Sequence, residues 1–405
     1  MSQGRDSAKP DSVDRARMAM LAAVSQLPME SVALDQGLGR VLCQAVPALC
    51  DQPPFAVSAM DGYAVRSSDT PGPLRLVGES AAGHGFDGIC GTGEAVRIST
   101  GAAVPRGTDA VVMQEDVTRD GDLVRVPSVV PGRHIRPRGG DFAAGDVLLS
   151  PGMELNGAAM ALAASAGAAS LAVTRRPRVA ILSSGDELAM PGATPGPWQI
   201  FDSVTFGMAG LIGEWGASPQ RLAVQRDDVA AITRAAGEGL ADSDLLLVIG
   251  GASVGDHDHA RPALMKLGLT LVVEKVAVRP GKPTWFGMTP GGPVLGLPGN
   301  PASALVCAYL FLRPLLAKML GRPPVPLFHR ARLAHSLAAN GPREHYLRAR
   351  WGSDDSGHLV VRAFGDQDSS LISVFTAANA LIRLLPYAPA LEQDAVVDIV
   401  MLGRT

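Results

Sequence analysis

Between Asp244 and Asp258 the chain reads DLLLVIGGASVGDHD, an apolar run that breaks into two glycines and closes on carboxylates. The run suits a strand buried on both faces, and Gly250-Gly251 let backbone N–H groups come close to a bound anion. Asp256 and Asp258 add negative charge beside that cradle, which makes sense when a divalent cation lies between acid and anion. A loop that only held phosphate would have no use for those acids. The pattern implies a phosphorylated ligand bound together with a metal.

Three further clusters carry chemistry, each with a plainer reading beside it. Ser183-Ser184-Gly185-Asp186-Glu187-Leu188 follows a strand pattern and is expected to open a helix; Ser184 or Asp186 would serve as its cap, which leaves Glu187 without a task. Asp227-Asp228 precedes a helical segment and reads equally as a cap. Glu187, Asp228 and Asp258 end three different segments, and converging acids of this kind can hold Mg²⁺ along with phosphate oxygens and water. Arg279-Pro280-Gly281-Lys282-Pro283 reads as a solvated basic turn, or as a proline-stiffened loop offering a point charge to a tetrahedral oxyanion. Pro298-Gly299-Asn300-Pro301 leads through Ser303 into ALVCAYLFLRPLLAKML, a helix whose N-terminus favours an anion.

The elements that must position these residues follow from length and patterning. A chain of 405 residues is expected to divide into two to four domains. With 47% hydrophobic and 19% charged residues it is globular rather than disordered. A net charge of −3 gives no electrostatic case for nucleic acid or an acidic membrane surface. Cys43, Cys50, Cys90 and Cys307 show no CxxC spacing and read as reduced packing thiols. The polar N-terminus lacks a secretory apolar region, and no apolar run reaches the length of a membrane span, so the cytoplasm is the expected compartment.

Ser12–Leu27 carries Ala16, Met20, Leu21 and Val24 at helical spacing. From Asp51 to Asp146 short β runs alternate with Gly/Pro turns (YAVR, LRLVG, AVRIST, DAVVMQ, DLVRV). The Ala-rich Met153–Val173 is expected to pair with the N-terminal helix as a linker region. From Arg178 onward VAILSS, DLLLVIGG and PVLGLPG alternate with helical patterns, with helices expected over 206–215 and 229–240. That implies a parallel-rich sheet with ligands at the strands' carboxyl ends. After about Arg322, REHYLRARW, HLVVRAF, NALIRLLP and DAVVDIVML indicate a terminal β domain. The expected boundaries are 1–46 with 148–176 (a discontinuous helical linker domain), 47–147 (an inserted β domain), 177–323 (α/β) and 324–405 (β).

GGASVGDHD, Val278–Pro283 and Gly296–Ser303 resemble the motifs of the molybdopterin molybdenumtransferase (MoeA) family, to which the E domain of gephyrin belongs. Ser58-Ala-Met-Asp61-Gly-Tyr63-Ala, Ser99-Thr100-Gly101-Ala-Ala-Val-Pro105, Asp109–Glu115, Ile135-Arg136-Pro-Arg138-Gly-Gly-Asp141 and Arg178–Leu188 match as well, in the family's order. The resemblance implies a multidomain α/β-plus-β fold: a three-layer α/β molybdopterin-binding domain, a small β domain inserted in an elongated helical linker domain, and a C-terminal β-barrel-like domain. It implies insertion of molybdate into adenylylated molybdopterin, with release of AMP and a requirement for Mg²⁺. Its implied partners are a second copy in a homodimer, a molybdopterin adenylyltransferase upstream, and molybdoenzymes or their chaperones downstream.

By the same resemblance Asp61, Asp141, Glu187, Asp228, Asp258 and Lys282 are catalytic, and Glu187, Asp228 and Asp258 hold the metal. Thr100, Arg136, Ser184, Gly185, Gly250, Gly251, Ser253, Arg279, Pro298, Gly299, Asn300 and Ser303 bind the pterin, nucleotide or oxyanion. Arg343 or Arg348 and Ser369 or Ser370 are weaker candidates for the oxyanion. Asp61, Thr100, Arg136 and Asp141 would serve the partner subunit's site, although from their residue types alone they read as turn formers. The chain departs from the family at Ala56-Val57 (usually Asp-Asn), Gly140 (Glu), Val204 (Asn) and Asp368 (Gly). These changes keep a rival open, a diverged paralogue that binds or delivers finished cofactor without turnover. The shorter adenylyltransferase family lacks the SAMDGYA segment, and a nicotinamide dehydrogenase would need a GxGxxG after the first α/β strand.

Overall fold

The computed structural model describes residues 10–250 and 259–403, apart from Val325 and Asp355. The chain forms two compact units, Ser31–Val173 and Met1–Glu30 with Thr174–Thr405.

An N-terminal helix α1 (Val13–Ala22) starts where Ser12 accepts the Arg15 backbone N–H. In the 31–173 unit, β1 (Gly62–Val65), β2 (Gly72–Ser80), β3 (Glu94–Ile98), β4 (Ala110–Met113), β5 (Thr118–Asp120) and β6 (Leu123–Val126) form one sheet, ordered β4-β1-β3-β2-β6-β5. Tyr63, Val65, Leu74, Ala95, Val112 and Val124 fill one side of it. The five β runs read from the sequence are all strands; only the short, exposed β5 had no apolar signal. The same unit holds α2 (Gly157–Ser165), capped by Asn156.

The expected pairing of the N-terminal helix with the Ala-rich segment is corrected by where each buries its stripe. Val13, Ala16 and Met20 of α1 lie in the core of the α/β domain. Ala159 and Ala163 of α2 pack with Leu42, Val46, Leu155 and Leu171. Each helix buries its stripe in the core of its own compact unit, so the two share no common core.

The α/β domain comprises β7 (Arg178–Ser183), α3 (Val204–Glu214), β8 (Ser218–Arg221), α4 (Val229–Asp242), β9 (Leu245–Ile249), α5 (Ala260–Met265), β10 (Thr270–Val273), then, after β11 (Val278–Arg279), β12 (Trp285–Thr289) and β13 (Gly292–Leu297). Its sheet order is β8-β7-β9-β13-β12-β10. The first four strands run parallel, and β12 and β10 pair antiparallel at one end. Alternate residues serve opposite faces. Val179, Ile181, Leu245, Leu247, Ile249 and Leu295 face α3 and the helix 301–319; Ala180, Leu182, Leu246, Val248 and Val294 face α4 and α5. Burial on both faces explains why these strands read as unbroken apolar runs.

That 301–319 helix consists of α6 (Pro301–Cys307), a π turn over Ala308–Leu312 and α7 (Arg313–Met319). Its length and hydropathy alone would pass for a membrane span, but Arg313 and Lys318 interrupt the apolar run and 72% of its apolar window is buried inside the protein, the setting of a core helix. Pro314 does not break it, because it falls at the start of the last segment, where its missing N–H is tolerated through the π turn.

Beyond it, β14 (His329–Leu333), β15 (Glu344–Ser353), β16 (Leu359–Ala363), β17 (Ala380–Leu384) and β18 (Val396–Met401), with α8 (Ile372–Ala377) between β16 and β17, close into a barrel, ordered β15-β16-β14-β18-β17 and back to β15. β11 adds to it in parallel, with Val278 opposite Glu344 and Arg279 opposite His345. Glu344 is 4% exposed and is held by Arg383 Nε at 2.6 Å and the Tyr346 hydroxyl at 2.6 Å. Arg383 also reaches Asp14 of α1 at 3.1 Å.

Two stability effects follow. A Cβ on Gly296 would sit 2.0 Å from the fully buried Trp285 ring, so Gly296→Ala should cost about 2 kcal/mol, read as a lower urea midpoint at unchanged slope. Arg383→Met strands the buried Glu344 carboxylate and should cost about 3 kcal/mol, part of it regained on adding Glu344→Gln; an unchanged midpoint in either single variant would refute its packing account.

Candidate functional site

The parallel strands β7, β9 and β13 end together, and their carboxyl-end loops interlock through glycines. A Cβ on Gly250 would stand 3.5 Å from the Ser184 carbonyl, and one on Gly299 would stand 3.5 Å from Gly250 Cα. Gly250 N–H donates to the Leu297 carbonyl at 3.2 Å. Ser184, Gly185, Gly250, Pro298 and Gly299 are thereby brought into one loop cluster, with Gly250 at φ +82°, a conformation that side-chain-bearing residues rarely adopt.

Ser184–Leu188 does not open a helix as expected. It makes a turn closed by Leu188 N–H to the Gly185 carbonyl at 3.1 Å, and Leu188-Ala189 then pairs with Ile200-Phe201. The helix starts only at Val204, where Asp202 accepts from Thr205 N at 3.2 Å and from Thr205 Oγ1 at 2.5 Å. Gly185, with φ +156°, is the reason: a Cβ there would lie 2.5 Å from Glu187 Oε2. The exposed Glu187 carboxylate is folded back over the glycine. Gln225 joins the cluster, its carbonyl accepting Gly185 N–H at 3.1 Å, and so carries Asp228 alongside. Asp228 is the N-cap of α4, one oxygen accepting Ala231 N–H at 2.7 Å. The capping reading holds for that oxygen, and the other is available to a ligand.

Arg279 and Lys282, both exposed, flank a turn whose start is pinned by the β11–β15 pairing. Lys282's carbonyl accepts Val276 N–H at 3.2 Å. His345, across from Arg279, is pushed down to about 4, first by burial and then by Arg279, Arg343 and Arg348. It is therefore neutral near pH 7, and the positive charge here belongs to the arginines and lysine. Asn300 caps α6 by its backbone and donates from Nδ2 to Ser369 Oγ at 3.1 Å, while Ala302 N–H donates to the Ser369 carbonyl. Ser303, 4% exposed, lies in the first turn of that helix. Of the weaker candidates, Ser369 is the serine facing the helix start, whereas Ser370 is bonded to Asp368. Arg348 is only 2% exposed and is committed to Gln367 Oε1 and the Leu371 carbonyl. It organises the 366–371 loop from beneath.

In the other unit Asp61 Oδ1 accepts Thr100 N–H at 2.6 Å, and that hydrogen bond holds the Asp61 carboxyl below its usual range. Gly101 N–H donates to the Ser58 carbonyl, and Arg136 pairs with Val57, so Asp61, Thr100 and Arg136 share one loop cluster. Asp141 N–H donates to the Gln52 carbonyl at 2.9 Å. Its loop is set by Asp51, which accepts from Ala144 N–H and Arg138. Asp51 had no motif signal in the sequence.

Gly251, Ser253, Asp256 and Asp258 lie outside the described residues. Among the described residues no group of three His, Cys, Asp or Glu could hold a metal; Glu187 and Asp228 offer hard carboxylate oxygens from adjoining loops. The apolar departures at Val57 and Val204 are 7% and 8% exposed, and Val204 belongs to the α/β core. They act as packing residues.

Residues 11–167 match the MoeA N-terminal region (domain I and II), 180–318 the probable molybdopterin binding domain, and 330–402 the MoeA C-terminal region (domain IV). The molybdopterin molybdenumtransferase of a Nostoc species is 37% identical over 89% of this chain and 86% of its own length. That of Haemophilus influenzae is 36% identical over 92% and 94%. Two solved structures of the molybdopterin biosynthesis MoeA protein from Pyrococcus horikoshii superpose with TM-scores of 0.84 and 0.82, at 29% and 26% identity, over 98% and 97% of this chain and 100% of each of those. With all three regions matched in order and relatives aligned over nearly their whole length, the chain belongs to the MoeA family of molybdopterin molybdenumtransferases.

Proposed function

We propose that this protein is a molybdopterin molybdenumtransferase, inserting molybdate into the dithiolene of adenylylated molybdopterin with release of AMP. The observation that carries the reading is the meeting of the Ser184-Gly185, Gly250 and Gly299 loops at the carboxyl ends of parallel strands. Glycines in such a cluster allow close approach of a phosphate; with the Gly185 and Gly250 N–H groups spent on the Gln225 and Leu297 carbonyls, the donors would come from the Gly299-Asn300 turn. Molybdate is a dianion and needs donors rather than acids. Arg279 and Lys282 would supply charge, and Ser303 and Ser253 neutral hydroxyls.

Where Mg²⁺ binds, it would neutralise phosphate charge beside Glu187, Asp228 and Asp258; two or three carboxylates plus substrate oxygens and water are its usual company. Asp228, with one oxygen spent on its helix, retains the other for this task, and Glu187 offers an exposed carboxylate folded over Gly185. The residues themselves act by positioning and by fixed charge, which together account for most of the acceleration in phosphoryl chemistry. In a homodimer, Asp61, Thr100, Arg136 and Asp141 would complete the site of the partner subunit. The upstream supplier would be an adenylyltransferase and the downstream acceptors molybdoenzymes or their chaperones.

Incubation of the folded protein with adenylylated molybdopterin, molybdate and Mg²⁺ should release AMP in step with molybdenum incorporation. Lys282→Ala should raise the KM for molybdate about tenfold or more, the loss of a charged donor costing over 1.4 kcal/mol, and Glu187→Gln should lower kcat while leaving the molybdate KM close to wild type. Cofactor bound tightly with no AMP released would favour a carrier instead.

A further inference from the structure

The loop that presents Arg279 and Lys282 rests on a buried floor. Gly281 has φ +116°, and a Cβ there would lie 2.2 Å from Cys307 Sγ, so the loop backbone is seated directly on the thiol. Thr284, fully buried, donates from Oγ1 to the Gly281 carbonyl at 2.8 Å and from its N–H to the same carbonyl at 3.0 Å. Its Oγ1 also lies 3.2 Å from Cys307 Sγ. The thiol in turn faces the carbonyls of Pro280 and Gly281 at 3.9 and 4.0 Å. Burial pushes the Cys307 thiol up to about 12, so it stays neutral and adds no negative charge beneath an anion site.

Cys307 is also the last residue of α6, four positions after Ser303 and therefore on the same helix face. One helix face thus carries a hydroxyl proposed for the oxyanion at its start and the support of the basic loop one turn later. A shift of the loop relative to that face changes the spacing between Ser303 and the Lys282 ammonium.

We propose that Thr284 and Cys307 are positioning residues for the 279–283 loop, fixing Arg279 and Lys282 at the spacing from Ser303 that a tetrahedral dianion requires. This rests on the reading of that loop as the molybdate-binding element. Neither residue touches the anion; each acts through the Gly281 carbonyl and the backbone it carries.

The test is steady-state AMP release with molybdate varied at saturating adenylylated molybdopterin, and then the reverse, in Thr284→Val, Thr284→Ser, Cys307→Ala and Lys282→Ala. Thr284→Val should raise the molybdate KM about tenfold while kcat and the KM for adenylylated molybdopterin stay within about twofold, and Thr284→Ser should restore the wild-type value. Cys307→Ala should raise the molybdate KM about threefold, and it decides the matter if Thr284→Val fails to fold. A wild-type molybdate KM in Thr284→Val or, failing that variant, in Cys307→Ala, while Lys282→Ala raises it, would overturn the proposal; so would an equal rise in both KM values. A wild-type molybdate KM in Lys282→Ala would instead overturn the reading of the loop on which the proposal rests.

Discussion

The basic end of the site depends on a two-residue parallel pairing, Val278-Arg279 against Glu344-His345. Through it a loop of the α/β domain is held by the first residues of a barrel strand. The barrel strand is in turn fixed by a buried carboxylate, Glu344, whose charge is balanced by Arg383 and hydrogen-bonded by Tyr346. A buried pair of this kind adds little net stability over apolar residues of the same shape, but losing one member leaves a charge that low-dielectric surroundings penalise heavily. Its contribution here is one of register. Arg383 reaches Asp14 as well, so the N-terminal helix, the barrel and the loop are referenced to one another by a single guanidinium.

The two signs of charge approach from different elements. Carboxylates come from the ends of β7 and from the cap of α4, both following strands of the central sheet. Cations come from the loop that the barrel grips. On the proposed reading, such a division would let metal and oxyanion lie close without either set of side chains neutralising the other, because the fold rather than mutual attraction sets their positions. The neutral His345 beside Arg279 keeps the cationic side independent of pH through the range in which histidines ordinarily titrate.

Much of this was legible in the sequence, for identifiable reasons. Strands buried on both faces announce themselves as VAILSS and DLLLVIGG, and their glycine-bearing ends mark where the loops meet. The terminal β runs were visible because alternate residues face a barrel interior. The helix expected at Ser184–Leu188 failed because its glycine leaves room for the Glu187 carboxylate to fold back, a feature set by close contact rather than by propensity. The destination of the N-terminal helix was hidden because its partners on α7 lie some three hundred residues away in sequence. Asp51 and the Thr284–Cys307 pair were equally invisible, since a hydrogen bond between distant small residues leaves no periodic trace.

A closed barrel leaves no row of unsatisfied backbone groups along its wall, but β15 runs past its neighbour at one end, where Glu344 and His345 would stand uncovered on one side. β11 occupies that gap. The segment that presents the basic loop is also the stopper on a strand terminus that would otherwise recruit backbone from another molecule. Displacing it would do two things at once: the basic loop would lose its anchor, and the bared strand end would be open to pairing with another copy.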